Sequence, residues 1–271
     1  MSTAKIIVSG GLDDIKSRDL RFLEEASKLG ELTVLLWSDA MLQKLTGKTP
    51  KFPLVERRYF LNAVRYVSRL IEAGNANQFD TLPDQSKADI WADYEPATNS
   101  AREHFCRDKK IAYRVFKADE LKGFPEPPPL PSAPGRKKVV VTGSYDWFHT
   151  GHVRFLEEAS AYGDLYVVVG HDANIRLLKG DGHPLLPQDE RRYVVGSIKF
   201  VKQALISSGD GWLDAAPEIR KLKPDIYAVN DDGDKGGKRE YCEKLGIEYL
   251  VLKRAPAPGL PRRRSTDLRG F

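Results

Sequence analysis

The sequence predicts an α/β chain built twice over, as two tandem domains, each a parallel sheet with helices on both faces. Three observations carry this. Apolar β-branched runs alternate with helical periodicity, as where Val139-Val140-Val141 is followed by Val153, Leu156 and Ala159 in one helical row. A strand–helix–strand alternation of that length calls for parallel pairing. Phe22-Leu23-Glu24-Glu25-Ala26-Ser27 recurs letter for letter as Phe155-Leu156-Glu157-Glu158-Ala159-Ser160, and a long internal repeat decides architecture before any single element does. Between the copies, Gly123 to Gly135 holds six prolines, which suits a semi-rigid extended connector.

The repeat continues in order. Gly10 matches Gly143, Asp13 matches Asp146, and Asp39-Ala40 matches Asp172-Ala173. After a one-residue insertion, Glu56-Arg57-Arg58-Tyr59 matches Glu190-Arg191-Arg192-Tyr193, and Arg65-Tyr66-Val67 matches Lys199-Phe200-Val201. Later, Asp89-Ile90-Trp91-Ala92 matches Asp225-Ile226-Tyr227-Ala228, and Cys106 matches Cys242. These matches read as a tandem duplication, with domains at 1–122 and 137–271 and a linker at 123–136. The first copy opens on a strand-like Ile6-Ile7-Val8. Where the second copy has His149, Gly151 and His152 it carries Lys16, Arg18 and Asp19, and Thr46 stands at the place of Lys179. It is expected to keep the shape and lose the chemistry.

The second copy starts with the strand at Val139-Val140-Val141, which Gly143 ends. A helix follows from His152, so two histidines three apart lie at its amino end, where free N–H groups and the helix dipole favour an anion. Gly151 between them has no side chain to hold a phosphate away. Leu165 to Gly170 is a second buried strand, and His171 to Pro184 reads as a long loop. In that loop Lys179 can reach an oxyanion as a point charge. Pro187 precedes a helix that opens at Gln188 and is expected to run on through Val194, Val195, Ile198 and Val201. A helix is expected from Trp212 to Leu222 and a strand at Asp225–Val229. Gly237 to Leu245 reads as a helix closed by Gly246, and Glu248–Leu252 as the last strand. Ser265 or Thr266, behind Arg262-Arg263-Arg264, can cap a short terminal helix and leave N–H groups for phosphate oxygens.

Bulk properties narrow the class. The chain has 271 residues, 41% of them hydrophobic, enough for real cores. It contains no run of eighteen apolar residues to span a membrane, and its start has no secretory apolar region. Cys106 and Cys242 make no close-spaced metal motif, which fits a reduced cytoplasmic compartment. A net charge of +5 suits a phosphate-rich small substrate and makes no case for nucleic acid.

The run Gly143-Ser144-Tyr145-Asp146-x-x-His149-x-Gly151-His152 resembles the nucleotidyltransferases of the cytidylyltransferase-like superfamily, whose hallmark is His-x-Gly-His after the first strand. Leu178-Lys179-Gly180-Asp181 is similar to loops of their sugar-phosphate and heptose-phosphate members. Ser265-Thr266 falls where a second hallmark, Arg-x-x-x-[Ile/Val]-Ser-Thr, belongs, with Arg264 in place of the aliphatic residue. The tandem arrangement resembles the ethanolamine-phosphate cytidylyltransferases. The resemblance implies Rossmann-like domains and transfer of a cytidylyl group from a nucleoside triphosphate to a phosphorylated alcohol or sugar phosphate. The alternatives are adenylyl transfer to a heptose or other sugar phosphate, or a non-enzymatic nucleotide-binding regulator. It implies catalytic roles for His149, His152 and Lys179, and nucleotide contacts from Thr142, Gly143, Ser144, Tyr145, Gly151, Asp231, Arg264, Ser265 and Thr266. It also implies Mg²⁺ arriving with CTP or ATP and no protein metal ligands. Dimer-forming relatives suggest that the two copies make an intramolecular pseudo-dimer.

Overall fold

Ile6, Ile7 and Val8 in one half of the chain, and Val139, Val140 and Val141 in the other, are all buried. Successive strand residues point to opposite faces, so a strand buried at three positions in a row must be covered on both sides. Each run is the central strand of its own parallel sheet in the computed structural model, which describes residues 3–74, 76–83 and 86–263. The chain divides into two compact units, Met1–Gly123 and Phe124–Phe271.

The first unit runs β1 (Lys5–Gly10), α1 (Ser17–Ser27), β2 (Glu31–Trp37), α2 (Asp39–Thr46), α3 (Leu54–Ala63), β3 (Arg69–Ala73), β4 (Ile90–Tyr94), α4 (Ser100–Asp108) and β5 (Ala112–Phe116). The second runs β6 (Lys138–Gly143), α5 (Thr150–Ser160), β7 (Asp164–Val169), α6 (Asp172–Lys179), α7 (Gln188–Gly196), β8 (Val201–Ile206), α8 (Ala216–Leu222), β9 (Ile226–Asn230), α9 (Lys238–Leu245) and β10 (Glu248–Leu252). The strand orders are β3-β2-β1-β4-β5 and β10-β9-β6-β7-β8, which is one order when each unit is counted from its own first strand. All pairings are parallel. In the second unit Val140, Val168, Tyr227 and Val229 pack against Ile219 of α8 and Cys242 of α9. Val139, Val141 and Val167 point the other way and are equally buried. The order reverses at β6, between β7 and β9, and such a switch point opens a ligand crevice beyond the carboxyl ends of the strands.

One arginine braces each unit. Arg191 Nε donates to Leu186 O (2.9 Å), Nη1 to Ser144 O (2.6 Å) and Nη2 to Asp172 Oδ1 (2.6 Å). Arg57 does the same with Phe52 O (3.0 Å), Gly11 O (2.5 Å) and Asp39 Oδ1 (2.6 Å). Both side chains are buried.

Three expectations need correction. The stretch His171–Pro184 is not all loop, because α6 occupies Asp172–Lys179. His171 caps it, accepting from Asn174 N–H at 3.2 Å, and Ile175 packs so closely on Gly170 that a Cβ there would lie 2.7 Å from Ile175 Cδ1. The helix from Gln188 ends at Gly196, where Pro127 presses on the backbone. Val201 instead opens β8 and pairs with Leu165. The expected helix at Trp212–Leu222 is a 3₁₀ turn at Gly211–Leu213 followed by α8, whose start coincides with Pro217. The proline-rich segment docks on the second unit. Leu130 N–H donates to Lys202 O at 3.0 Å, Phe124 packs beside Tyr193, and Glu126 pairs with Arg192. Edge strand β8 is thereby partly covered, which blunts a surface open to unwanted strand pairing.

Candidate active site

Beyond β6 the chain turns through Tyr145, held at a φ of 51°. A non-glycine residue there costs on the order of 1–3 kcal/mol, a cost that functional sites tolerate. The Tyr145 ring packs over Gly143, where a Cβ would lie 3.0 Å away, and is 5.5 Å from the His152 ring. The hydroxyl of Tyr145 is buried with no hydrogen-bond partner among the described residues. Thr142 and Tyr227 share a 2.8 Å hydrogen bond beneath this turn.

His149 is the residue that starts α5. Its Nδ1 accepts from Gly151 N–H at 3.0 Å, and its own N–H donates to His152 Nδ1 at 3.3 Å. The two rings are 4.1 Å apart between centroids, and His152 stacks on Phe148. Because each Nδ1 accepts, each ring carries its proton on Nε2. Burial, helped by Arg254 and Arg263, lowers the His149 imidazole to about 4. Burial, then His149, Arg254 and Lys179, holds His152 well below the usual histidine range. Both are therefore neutral hydrogen-bond donors near pH 7. Gly151 is needed by the cap itself, since a Cβ would lie 2.8 Å from His149 Cε1.

Lys179, at the end of α6, donates to Ser144 Oγ at 2.7 Å, which brings it to the strand–helix turn. Asp146 holds the intervening chain in place, accepting from Leu185 and Leu186 N–H at 2.7 and 3.1 Å and lying 3.2 Å from His183 Nδ1. The result is a cleft of about 1000 Å³, counting its solvent-open part, lined by Thr142, Gly143, Ser144, Tyr145, Gly151, His152, Phe155 and Lys179 from one side. Val229, Asn230, Asp232, Gly233, Lys238 and Arg254 line the other. His149 is buried and does not line it.

Most sequence-predicted site residues thus come together. Asp231 does not line the cleft; its carboxylate accepts the Asp232 N–H at 2.8 Å, and its neighbours Asn230 and Asp232 take the lining positions. Arg264, Ser265 and Thr266 lie outside the described residues, although Arg263 O approaches Gly151, 3.4 Å from where a Cβ would stand. The resemblance points to the loop at 230–234 as part of the pocket, and Asn230, Asp232 and Gly233 of it line the cleft; sequence reasoning missed Arg254 and Lys238. Arg254 follows the last strand and pairs with Asp232. Among the described residues no cluster of three His, Cys, Asp or Glu could hold a metal ion, and no helix is long and apolar enough to cross a membrane.

A family model described as cytidylyltransferase-like matches residues 140–269. The chain is 40% identical over 120 residues to an FAD synthase of Ferroglobus placidus, covering 43% of this chain and 75% of that protein. It belongs to the cytidylyltransferase-like nucleotidyltransferases. An FAD synthase of Methanocella paludicola is 33% identical over 135 residues, covering 49% of this nucleotidyltransferase and 93% of the relative. The bifunctional protein HldE of Campylobacter concisus is 38% identical over 138 residues, which is 49% of this chain and 29% of that one.

The first unit keeps the helix start with other chemistry. Lys16 N–H donates to Asp19 Oδ2 at 2.8 Å, just as His149 N–H donates to His152. Lys16 Nζ pairs with Asp14 at 2.7 Å, and the Arg18 guanidinium lies 5.7 Å from the centre of the Tyr94 ring. No imidazole pair exists at this helix start.

The depressed His149 imidazole links stability to pH. From the ordinary value of 6.5 down to about 4, the unfolded chain binds a proton that the folded chain refuses. Acidification through that window therefore favours unfolding. Between pH 6.5 and 5 the wild-type chain should lose more melting temperature than His149→Asn, which keeps a capping acceptor and does not titrate. Parallel losses in the two proteins would contradict this.

Proposed function

We propose that the second unit transfers a nucleotidyl group from a nucleoside triphosphate to a phosphorylated small molecule, releasing pyrophosphate. The observation that supports this best is the hydrogen-bonded pair of neutral histidines at the start of α5, of which His152 lines one cleft with Lys179. A phosphate oxygen of the acceptor attacks the α-phosphorus, and the bond from that phosphorus to the oxygen bridging to the β-phosphorus breaks. No enzyme nucleophile is required. The protein positions two anions and stabilises growing negative charge. The Nε2–H groups of His149 and His152 supply donors for phosphate oxygens, and Lys179 supplies a mobile positive charge.

Relatives named for making FAD, an adenine dinucleotide, favour ATP over CTP as donor. Cytidylyl transfer is kept as the second reading because of the family description. Mg²⁺ is expected to ride on the triphosphate, keeping its waters and phosphate ligands; Asp232 is the carboxylate at hand in the cleft. Lys16, Arg18 and Asp19 support reading the first unit as non-catalytic. The test is pyrophosphate release by the full chain with ATP or CTP against flavin mononucleotide, heptose and other sugar phosphates, and phosphorylated alcohols. Release that requires one nucleotide and one acceptor together is expected. Silence across the whole panel would contradict the proposal.

A further inference from the structure

We infer that Lys238 is an additional anion-binding residue of the cleft, placed to hold a phosphoryl oxygen of one of the two reactants. The inference rests on the nucleotidyl-transfer reading of the same site. Three cations line the cleft among the described residues. Lys179 is engaged with the Ser144 hydroxyl and Arg254 with the Asp232 carboxylate. Among the described residues Lys238, the first residue of α9, donates only to a backbone carbonyl, Gly233 O at 3.3 Å.

The first unit holds a cation at the matching position in a different way. β4 and β9 correspond residue for residue, as do β5 and β10, and the helix between them carries Arg102 at the place of Lys238. Arg102 is buried, and its Nη1 donates to both oxygens of Asp93 at 2.6 Å. Its Nη2 donates to Phe79 O, and Tyr113 donates to the same carboxylate. That cation is neutralised from within. In the second unit the place of Asp93 is taken by Val229, which is buried. The second unit thus has a cation at this position without the directly paired carboxylate that Arg102 has. Burial lowers the Lys238 ammonium, and Asp214 is the main group opposing this. Asp214 and Asp234 act on it from beyond ion-pairing distance; a partly desolvated cation with no direct ion pair among the described residues is costly, and a phosphate oxygen entering the cleft would supply one.

Phosphate oxygens reach this cleft from two sources, the nucleotide's triphosphate and the acceptor. The test uses the full chain as wild type, Lys238→Met and Lys238→Arg. Calorimetry reads binding of ATP, CTP, inorganic pyrophosphate and inorganic phosphate, and turnover reads KM for each reactant. Lys238→Met should weaken one source by about tenfold or more, in line with loss of a charge-assisted hydrogen bond. Weakened pyrophosphate and nucleotide binding would assign the triphosphate. Weakened phosphate binding with a raised acceptor KM would assign the acceptor. Lys238→Arg should restore most of the loss, and Lys238→Met should melt no lower than wild type. Changes under twofold on every probe would overturn the inference, as would a lowered melting temperature in Lys238→Met with unaltered binding. A wild-type chain that binds these anions yet never releases pyrophosphate would refute the proposed function while the binding measurements still judged Lys238.

Discussion

His152→Ala should lower turnover by about 10²–10³-fold, the usual effect of losing one preorganised donor to a developing oxyanion. The ring is held by three neighbours, Tyr145, Phe148 and His149, and its Nδ1 is fixed by the His149 N–H. Its proton thus sits on Nε2 without any titration step. Because burial and nearby cations keep the ring neutral, the loss should be as large at pH 8 as at pH 6.5. His152→Gln, which can keep one N–H donor, should recover part of the rate. His149→Ala should be similarly damaging, with about 1 kcal/mol of stability lost besides, since that residue also caps α5. Steady-state kinetics on these variants, with melting curves alongside, separate the two effects. A His152→Ala enzyme within threefold of wild type would rule out the donor role.

Arg191→Met should strongly destabilise the second unit, by about 3 kcal/mol, because two carbonyls and the part-exposed Asp172 carboxylate lose their hydrogen bonds to a buried guanidinium. Its guanidinium ties together the turn after β6, the start of α6 and the chain before α7. Ser144, whose carbonyl it holds, also receives Lys179, so activity per folded molecule should fall as well. Arg57→Met offers an internal control. It breaks the matching brace in the first unit and should destabilise by a similar amount while leaving turnover of the folded fraction unchanged. Denaturant unfolding followed by activity at low denaturant reads both quantities. Equal loss of turnover in the two variants would contradict this assignment.

The central strands were legible because burial on both faces forces an uninterrupted β-branched run such as Val139-Val140-Val141. The His149/His152 pair was legible because a capping position and the position three residues on must meet at a helix start. α6 was hidden because its pattern is inverted: Asn174 turns inward to bond Gly211, whereas Leu177 is 68% exposed. β8 was hidden because Val194, Val195, Ile198 and Val201 keep helical spacing across the end of α7 at Gly196, on which Pro127 packs. Gly151 was read as room for a phosphate, and the structure shows the His149 ring already against it. Arg254 and Lys238 could not be picked out from the many other basic residues. Their role depends on β9 and β10 lying beside β6, a long-range pairing that no local pattern records.

The most direct measurement is transfer of label from the α-phosphate of ATP, and separately of CTP, to a phosphorylated acceptor by the full chain. Label should appear in a new dinucleotide-type or nucleoside-diphospho product, with one pyrophosphate released for each molecule formed. It should fall by about 10²–10³-fold in His152→Ala and be unchanged in Lys16→Ala. Label transfer that survives His152→Ala but is lost in Lys16→Ala would place the chemistry in the first unit and contradict the account.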